Sequence, residues 1–127
     1  YYIKPTVFSG VTPDMRIAQE EIFGPVATIM AYDSLEEAIE IANDTSYGLT
    51  AGLWSQDIGR AHRVAAKIRA GIVWVITYRY IRWTTPYGGF KASGWGRENG
   101  IEALDSYLET RTTVISTTGR FKDAYAD

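Results

Sequence analysis

The sequence predicts an α/β protein of three layers on a mainly parallel sheet, and three observations carry that reading. Apolar runs rich in β-branched residues alternate with amphipathic helical stretches between Val26 and Ile76. The runs are apolar on both faces, as in strands covered by helices on either side. Each connection is long enough to hold one helix, which parallel pairing with a right-handed crossover requires. Residues 26–32 form the first run, of strand length. Ser34-Leu35-Glu36-Glu37 is a capping box: the Ser34 hydroxyl caps an amide while Glu37 reaches back. Leu35, Ala38, Ile39 and Ala42 then recur at helical spacing with Glu36, Glu40 and Asn43 on the other side, and residues 43–48 end this helix. Residues 49–54 are the second strand. Asp57 is placed to cap a second helix reaching Arg69, with Ile58, Ala61, Ala65 and Ile68 inward and Gly71 as its stop. Residues 72–76 are the third strand, completing a βαβαβ order.

Beyond Ile76 the pattern breaks. Residues 77–100 are rich in glycine and aromatics, and a loop of that length without its own structure points to function. Residues 98–106 suit a short helix with Ile101 and Leu104 inward. Residues 110–118, rich in Thr, Val and Ile, suit an extended strand at an edge or facing a partner. The polar tail, residues 119–127, is expected to fray. The chain thus divides into a body, residues 1–106, and a strand with its tail, residues 107–127.

Composition narrows the function. Of 127 residues, 46% are apolar, enough for a core. The net charge is −2 with mixed signs and no basic stripe, which argues against nucleic acid. No apolar run approaches the roughly 18 residues of a membrane span, and no signal-peptide pattern is present. The absence of cysteine excludes disulfides and thiolate metal sites and suits a cytoplasmic origin. A single histidine, His62, in the polar sector of its helix, reads as solvated and is too little for a metal site. The chain opens Tyr1-Tyr2-Ile3 without Met and is expected to be a piece of a longer product.

Three segments invite a chemical reading. In Glu20-Glu21-Ile22-Phe23-Gly24-Pro25-Val26, a glutamate can accept hydrogen bonds from the vicinal hydroxyls of a ribose, and Phe23, two residues on, can pack on a planar heterocycle. The plain alternative is an exposed Glu and a core Phe before a turn. The glycines of residues 86–98 lack the spacing of a phosphate loop and read as a tight structural loop. The aromatic stretch Thr77-Tyr78-Arg79-Tyr80-Ile81-Arg82-Trp83 is either a pocket wall or subunit contact, or a loop folded back on its own core.

Together these motifs resemble a family. Lys4-Pro5-Thr6-Val7-Phe8, Glu20-Glu21-Ile22-Phe23-Gly24-Pro25-Val26, Asn43-Asp44-Thr45 with Tyr47-Gly48-Leu49, Ala70-Gly71 with Val73-Trp74-Val75, and Pro86-Tyr87-Gly88-Gly89-Phe90-Lys91 through Arg97-Glu98 resemble, in order and spacing, the C-terminal stretch of NAD(P)-dependent aldehyde dehydrogenases. The resemblance implies that Glu21 holds the nicotinamide ribose and that Phe23 lies beside the nicotinamide ring of NAD or NADP. It implies that Ile81 and Tyr87, the latter normally a phenylalanine, face the substrate tunnel, and that residues 110–118 help build an oligomerisation sheet. It implies oxidation of an aldehyde to an acid by a cysteine thiolate in a homo-oligomeric enzyme. This chain has no cysteine, and in the family the thiol, the general base and the adenine-binding segment all precede this stretch. Ile76 stands where the family has Asn. The expected role is therefore a C-terminal fragment, inactive alone, whose partner is the missing N-terminal part. The alternative is a non-catalytic assembly module derived from that family.

Overall fold

The computed structural model describes residues 1–120 and Tyr125. It is an α/β fold in the order β1 (Thr6–Phe8), α1 (Arg16–Gln19), β2 (Val26–Thr28), α2 (Leu35–Asn43), β3 (Thr50–Leu53), α3 (Ile58–Lys67) and β4 (Ile72–Val75). Short 3-10 turns follow at Lys91–Ser93 and Ile101–Ser106. The strands pair in parallel, as expected, but in two pairs rather than one row. β1 lies beside β2 with Thr6 opposite Val26, and β3 beside β4 with Thr50 opposite Ile72. β2 pairs with the upstream Thr-Val-Phe triplet, which is too short to stand out in the sequence, and makes no ladder with β3.

Both long helices begin on their expected caps. The Ser34 hydroxyl accepts from the Glu37 amide at 3.1 Å, and the Glu37 carboxylate accepts from the Asp33 amide at 2.7 Å, one residue before the cap itself. The Asp57 carboxylate accepts from the Arg60 amide at 2.9 Å. This bond, followed by the nearby positive charges of Arg60 and Arg63, holds the Asp57 carboxyl below its ordinary range. Three expectations change. Asn43 turns out of the polar face of α2 to bind the end of α3. Ile58, in the first turn of α3, is exposed rather than inward, because the apolar stripe starts only at Ala61. Gly71 is not the helix stop; α3 ends at Ile68 in extended backbone.

The core is thin. Among the described residues only Val11, Ala61 and Trp74 are buried apolar side chains. A cavity of about 720 Å³ among the two long helices and the β3–β4 pair is lined by Leu35, Ile39, Leu53, Ala61, Val64 and Val73. The accessible surface is 11197 Å². A folded monomer of 14.2 kDa exposes about 6,800 Å², so this chain shows roughly 4,400 Å² more than its mass requires.

The C-terminal expectations also change. Ile101 and Leu104 are exposed, because the 3-10 turn that carries them finds no apolar surface to lie on. Residues 110–118 form no strand, and Val114 and Ile115 are exposed, since no neighbouring strand among the described residues offers them a ladder. Most of the tail, 119–127, lies outside the described residues.

Two measurements test this account. Asp57 has a lowered folded pKa, so its contribution is complete above the ordinary carboxylate range and is lost as pH falls through the lowered value. Helicity followed by circular dichroism below about pH 4 therefore falls in the wild type, and the fall is smaller in Asp57→Asn, which keeps a capping oxygen without the charge. Ile76, at φ 56°, is a β-branched residue in the left-handed region. Ile76→Asn raises stability by about 1 kcal/mol in urea unfolding, because Asn tolerates that backbone.

Candidate cofactor and substrate site

The segment before β2 separates its two glutamates. Arg16, one helical turn upstream, donates through Nε to Glu20 at 2.7 Å, and this bond keeps the Glu20 carboxyl below its ordinary range. Glu21 is left exposed with no hydrogen bond or ion pair to any described residue. Phe23 is 95% exposed, so its ring is not core. Both line one cleft of about 370 Å³, together with Ile17, Ala18 and Val26. Glu21 also borders a second hollow shared with Thr45, Tyr47, Leu49 and Ser93. Leu49 and Ser93 reappear in the wall of the cleft of about 390 Å³ that holds Tyr87. The hollow beside Glu21 and the cleft of Tyr87 thus share two wall residues, Leu49 and Ser93. Ile81, 48% exposed, lines none of these three hollows.

The corner between α2 and β3 supplies Thr45, Tyr47 and Leu49 to the hollow beside Glu21. The Asn43 amide donates to the Lys67 carbonyl at 2.9 Å and accepts from the Arg69 amide at 2.8 Å, joining the ends of α2 and α3. Gln19 donates to the Asp44 carbonyl at 2.8 Å. The glycine-rich segment closes from the other side. Lys91 Nζ donates to the carbonyls of Asn43 and Thr45 at 2.7 and 3.0 Å, and the Ala92 amide to Ser46 at 2.9 Å. The Phe90 and Gly71 amides share the Gly48 carbonyl, while the Gly48 amide donates to Ser93 Oγ at 3.0 Å. A Cβ on Gly71 would sit 1.6 Å from the Gly88 carbonyl oxygen, and one on Gly48 would sit 2.6 Å from that of Arg69. These glycines let backbone lie on backbone. The amides of Phe90, Ala92, Ser93 and Gly94 are all spent within the fold, so this is a structural loop and not a phosphate cradle.

The aromatic loop after β4 is folded back in part. Trp74 Nε1 donates to the Tyr80 carbonyl at 2.8 Å, and Tyr78 meets the Trp74 ring edge-on at 5.3 Å. Its outer side chains stay in solvent, with Trp83 at 83% exposure. His62 is exposed, and no cluster of three or more metal-ligating side chains exists among the described residues. No described helix is long and apolar enough to cross a membrane. Sequence reading missed the joining roles of Gln19, Asn43 and Ser93. Only Asn43 carried a signal, as a polar residue at a helix end facing a second helix end.

Parallel strand pairs joined by helical crossovers, with a carboxylate–aromatic cleft at a strand entrance, define an α/β fold. The chain belongs to the aldehyde dehydrogenase family, whose family model matches residues 1–113. It is 50% identical over 115 residues to aldehyde dehydrogenase family 2 member C4 of Arabidopsis thaliana, covering 91% of this chain and 23% of that protein. It is 47% identical over 117 residues to a betaine aldehyde dehydrogenase of Mesorhizobium japonicum, covering 92% of this chain and 24% of the relative. Among solved structures, the indole-3-acetaldehyde dehydrogenase of P. syringae with NAD+ and IAA superposes at TM-score 0.86 and 52% identity, over 88% of this chain and 23% of that one. The betaine aldehyde dehydrogenase of Staphylococcus aureus with NAD+ superposes at TM-score 0.92 and 40% identity, over 99% of this chain and 25% of that one. The chain thus spans about a quarter of the length of these relatives. It holds no cysteine and so cannot supply the thiolate of the family's chemistry.

Replacing Asn43 by Ala removes two hydrogen bonds between helix ends, and urea unfolding is expected to show a loss of about 2 kcal/mol. An unchanged midpoint would remove the corner from its supporting role.

Proposed function

We propose that this chain is the C-terminal part of an aldehyde dehydrogenase catalytic domain: residues 1–106 complete that domain, and residues 107–127 are an intersubunit strand and tail. The observation that carries the reading is the cleft shared by Glu21 and Phe23, with Glu20 already engaged by Arg16. The cleft suits the ribose end of a nicotinamide cofactor. An unpartnered carboxylate accepts hydrogen bonds from a vicinal diol, and an exposed ring packs on a flat heterocycle. NAD+ or NADP+ supplies the hydride acceptor when bound. This chain's part is to orient it: Glu21 fixes the ribose, and Phe23 bounds the ring. Tyr87 faces the aldehyde's approach from its cleft, and Ile81, outside these hollows, faces it from the loop after β4 once the upstream portion is in place. The upstream portion brings the thiolate, the general base and the adenine pocket.

The surface supports the same reading. An excess of roughly 4,400 Å² is several times the about 800 Å² that one partner of a standard interface buries. It suits a domain opened along its core better than a subunit lacking its neighbour. The exposed Val114 and Ile115 suit strand addition to a second subunit of a homo-oligomer, for which the absence of cysteine suits a cytoplasmic setting. The assembly-module alternative would draw on that segment alone and leaves the Glu21–Phe23 cleft without a task.

The purified chain is expected to form no NADH from a panel of aldehydes; sustained turnover would overturn the proposal. Installed in place of the matching stretch of the Aspergillus niger aldehyde dehydrogenase, to which it is 52% identical, it is expected to support turnover. Glu21→Gln in that chimera raises the KM for NAD+ about tenfold, the scale of a hydrogen bond to a charged group. An unchanged KM would take Glu21 out of the cofactor site.

A further inference from the structure

We propose that Arg79 and Arg82 make the loop after β4 a reader of anionic aldehydes, substrates carrying a carboxylate or phosphate away from the reacting carbon. The inference rests on the reading above, in which this loop borders the aldehyde's approach. The loop leaves the carboxyl end of the β3–β4 pair, the end at which open parallel sheets bind their ligands. Its backbone is pinned by the bond from Trp74 to Tyr80 and by Tyr78 packing on Trp74, with Trp54 beyond it at 6.5 Å.

Each arginine is held over a tyrosine ring. The Arg79 guanidinium lies 5.5 Å from the Tyr78 ring centre, and that of Arg82 lies 5.0 Å from the ring of Tyr80, whose hydroxyl accepts from Arg82 Nε. Stacking fixes the plane of a guanidinium and leaves its N–H edge open. Neither arginine pairs with a carboxylate among the described residues, where the ion pairs are Arg16–Glu20 and Arg60–Asp57. Residues 77–85 hold both arginines and no acid in a chain whose net charge is −2. Arg97 provides the contrast. It also lies over a ring, that of Phe90, but gives its N–H groups to the carbonyls of Gly89 and Gly96. Arg97 supports structure; Arg79 keeps its donors for an outside anion, and Arg82, with Nε given to Tyr80, keeps its terminal nitrogens. A planar fork of N–H groups matches a carboxylate or phosphate edge with two parallel bonds. Arg79 sits at φ 57°, a left-handed backbone that a side chain adopts only where its surroundings hold it there.

The test uses the chimera carrying all 127 residues, assayed on succinic semialdehyde against butanal and on glyceraldehyde 3-phosphate against glyceraldehyde. One anionic member is expected to exceed its neutral counterpart in kcat/KM by about tenfold at low salt, relative to the same ratio in the parent enzyme. Which pair responds distinguishes carboxylate from phosphate. The ratio falls as salt rises, because exposed charges are screened beyond about 10 Å at 0.1 M. It returns toward the parent's value in Arg79→Gln/Arg82→Gln. Should that variant fold poorly, Arg79→Lys/Arg82→Lys keeps the charge, loses the fork and lowers the ratio in part. A ratio equal to the parent's, or one indifferent to salt and to both variants, overturns the inference and leaves the cofactor reading standing. A chimera that oxidises none of these aldehydes overturns both.

Discussion

The corner between α2 and β3 is the constraint on which the rest of the structure depends. A chain that leaves a helix and enters a strand within a few residues carries carbonyls and amides that neither element satisfies. Here they are satisfied by four segments far apart in sequence: Gln19 before β2, Lys67 to Arg69 at the end of α3, Gly71 at the start of β4, and Phe90 to Ser93 in the glycine-rich loop. Each bond is modest alone. Together they set where β3 begins, and therefore its register with β4. They also set where Thr45, Tyr47 and Leu49 stand beside Glu21.

That corner explains why a chain with so few buried side chains still has defined geometry. Trp74 and Ala61 are the apolar centre of one strand pair and Val11 of the other, with a cavity of about 720 Å³ among the β3–β4 pair and its helices. Polar joints hold the elements in position, and apolar burial is left unfinished. The order is the reverse of a self-sufficient small domain, in which burial dominates and polar groups only fix details. Such an arrangement suits a segment whose missing apolar contacts come from elsewhere in a larger fold.

Much of this was legible in the sequence, where the signal was local. The Ser34 and Asp57 caps, the apolar stripe of α3, and the parallel character of the strands follow from patterns within ten or so residues. Glu21 and Phe23 do line one cleft, but so do Glu20, Ile22 and Gly24 around them, so the two-residue spacing is not what brings them there. What could not be read depends on distant partners. Thr6–Phe8 gave too short a run to claim β2, and no spacing shows that Gly71 meets the Gly88 carbonyl rather than ending a helix. Residues 98–118 failed differently. Ile101, Leu104, Val114 and Ile115 carry an apolar pattern that asks for a surface this chain does not provide.

The pairing of neighbours with different tasks recurs across the molecule and ties the fold to its chemistry. Of the adjacent glutamates, Glu20 is engaged by Arg16 one turn away, while Glu21 is left to solvent at the cleft. Of the three arginines over aromatic rings, Arg97 is consumed by backbone carbonyls, while Arg79 and Arg82 are not. In each case a local partner satisfies the structural member of the set and leaves the other charged, oriented and unneutralised. No charge of opposite sign among the described residues pairs with Glu21, Arg79 or Arg82. In the proposed reading, each awaits a ligand from outside: a diol for the carboxylate, an anion for the guanidinium groups. Glu21 precedes β2 and the arginines follow β4, so in that reading the cofactor and the substrate engage separate segments and do not compete for the same residues.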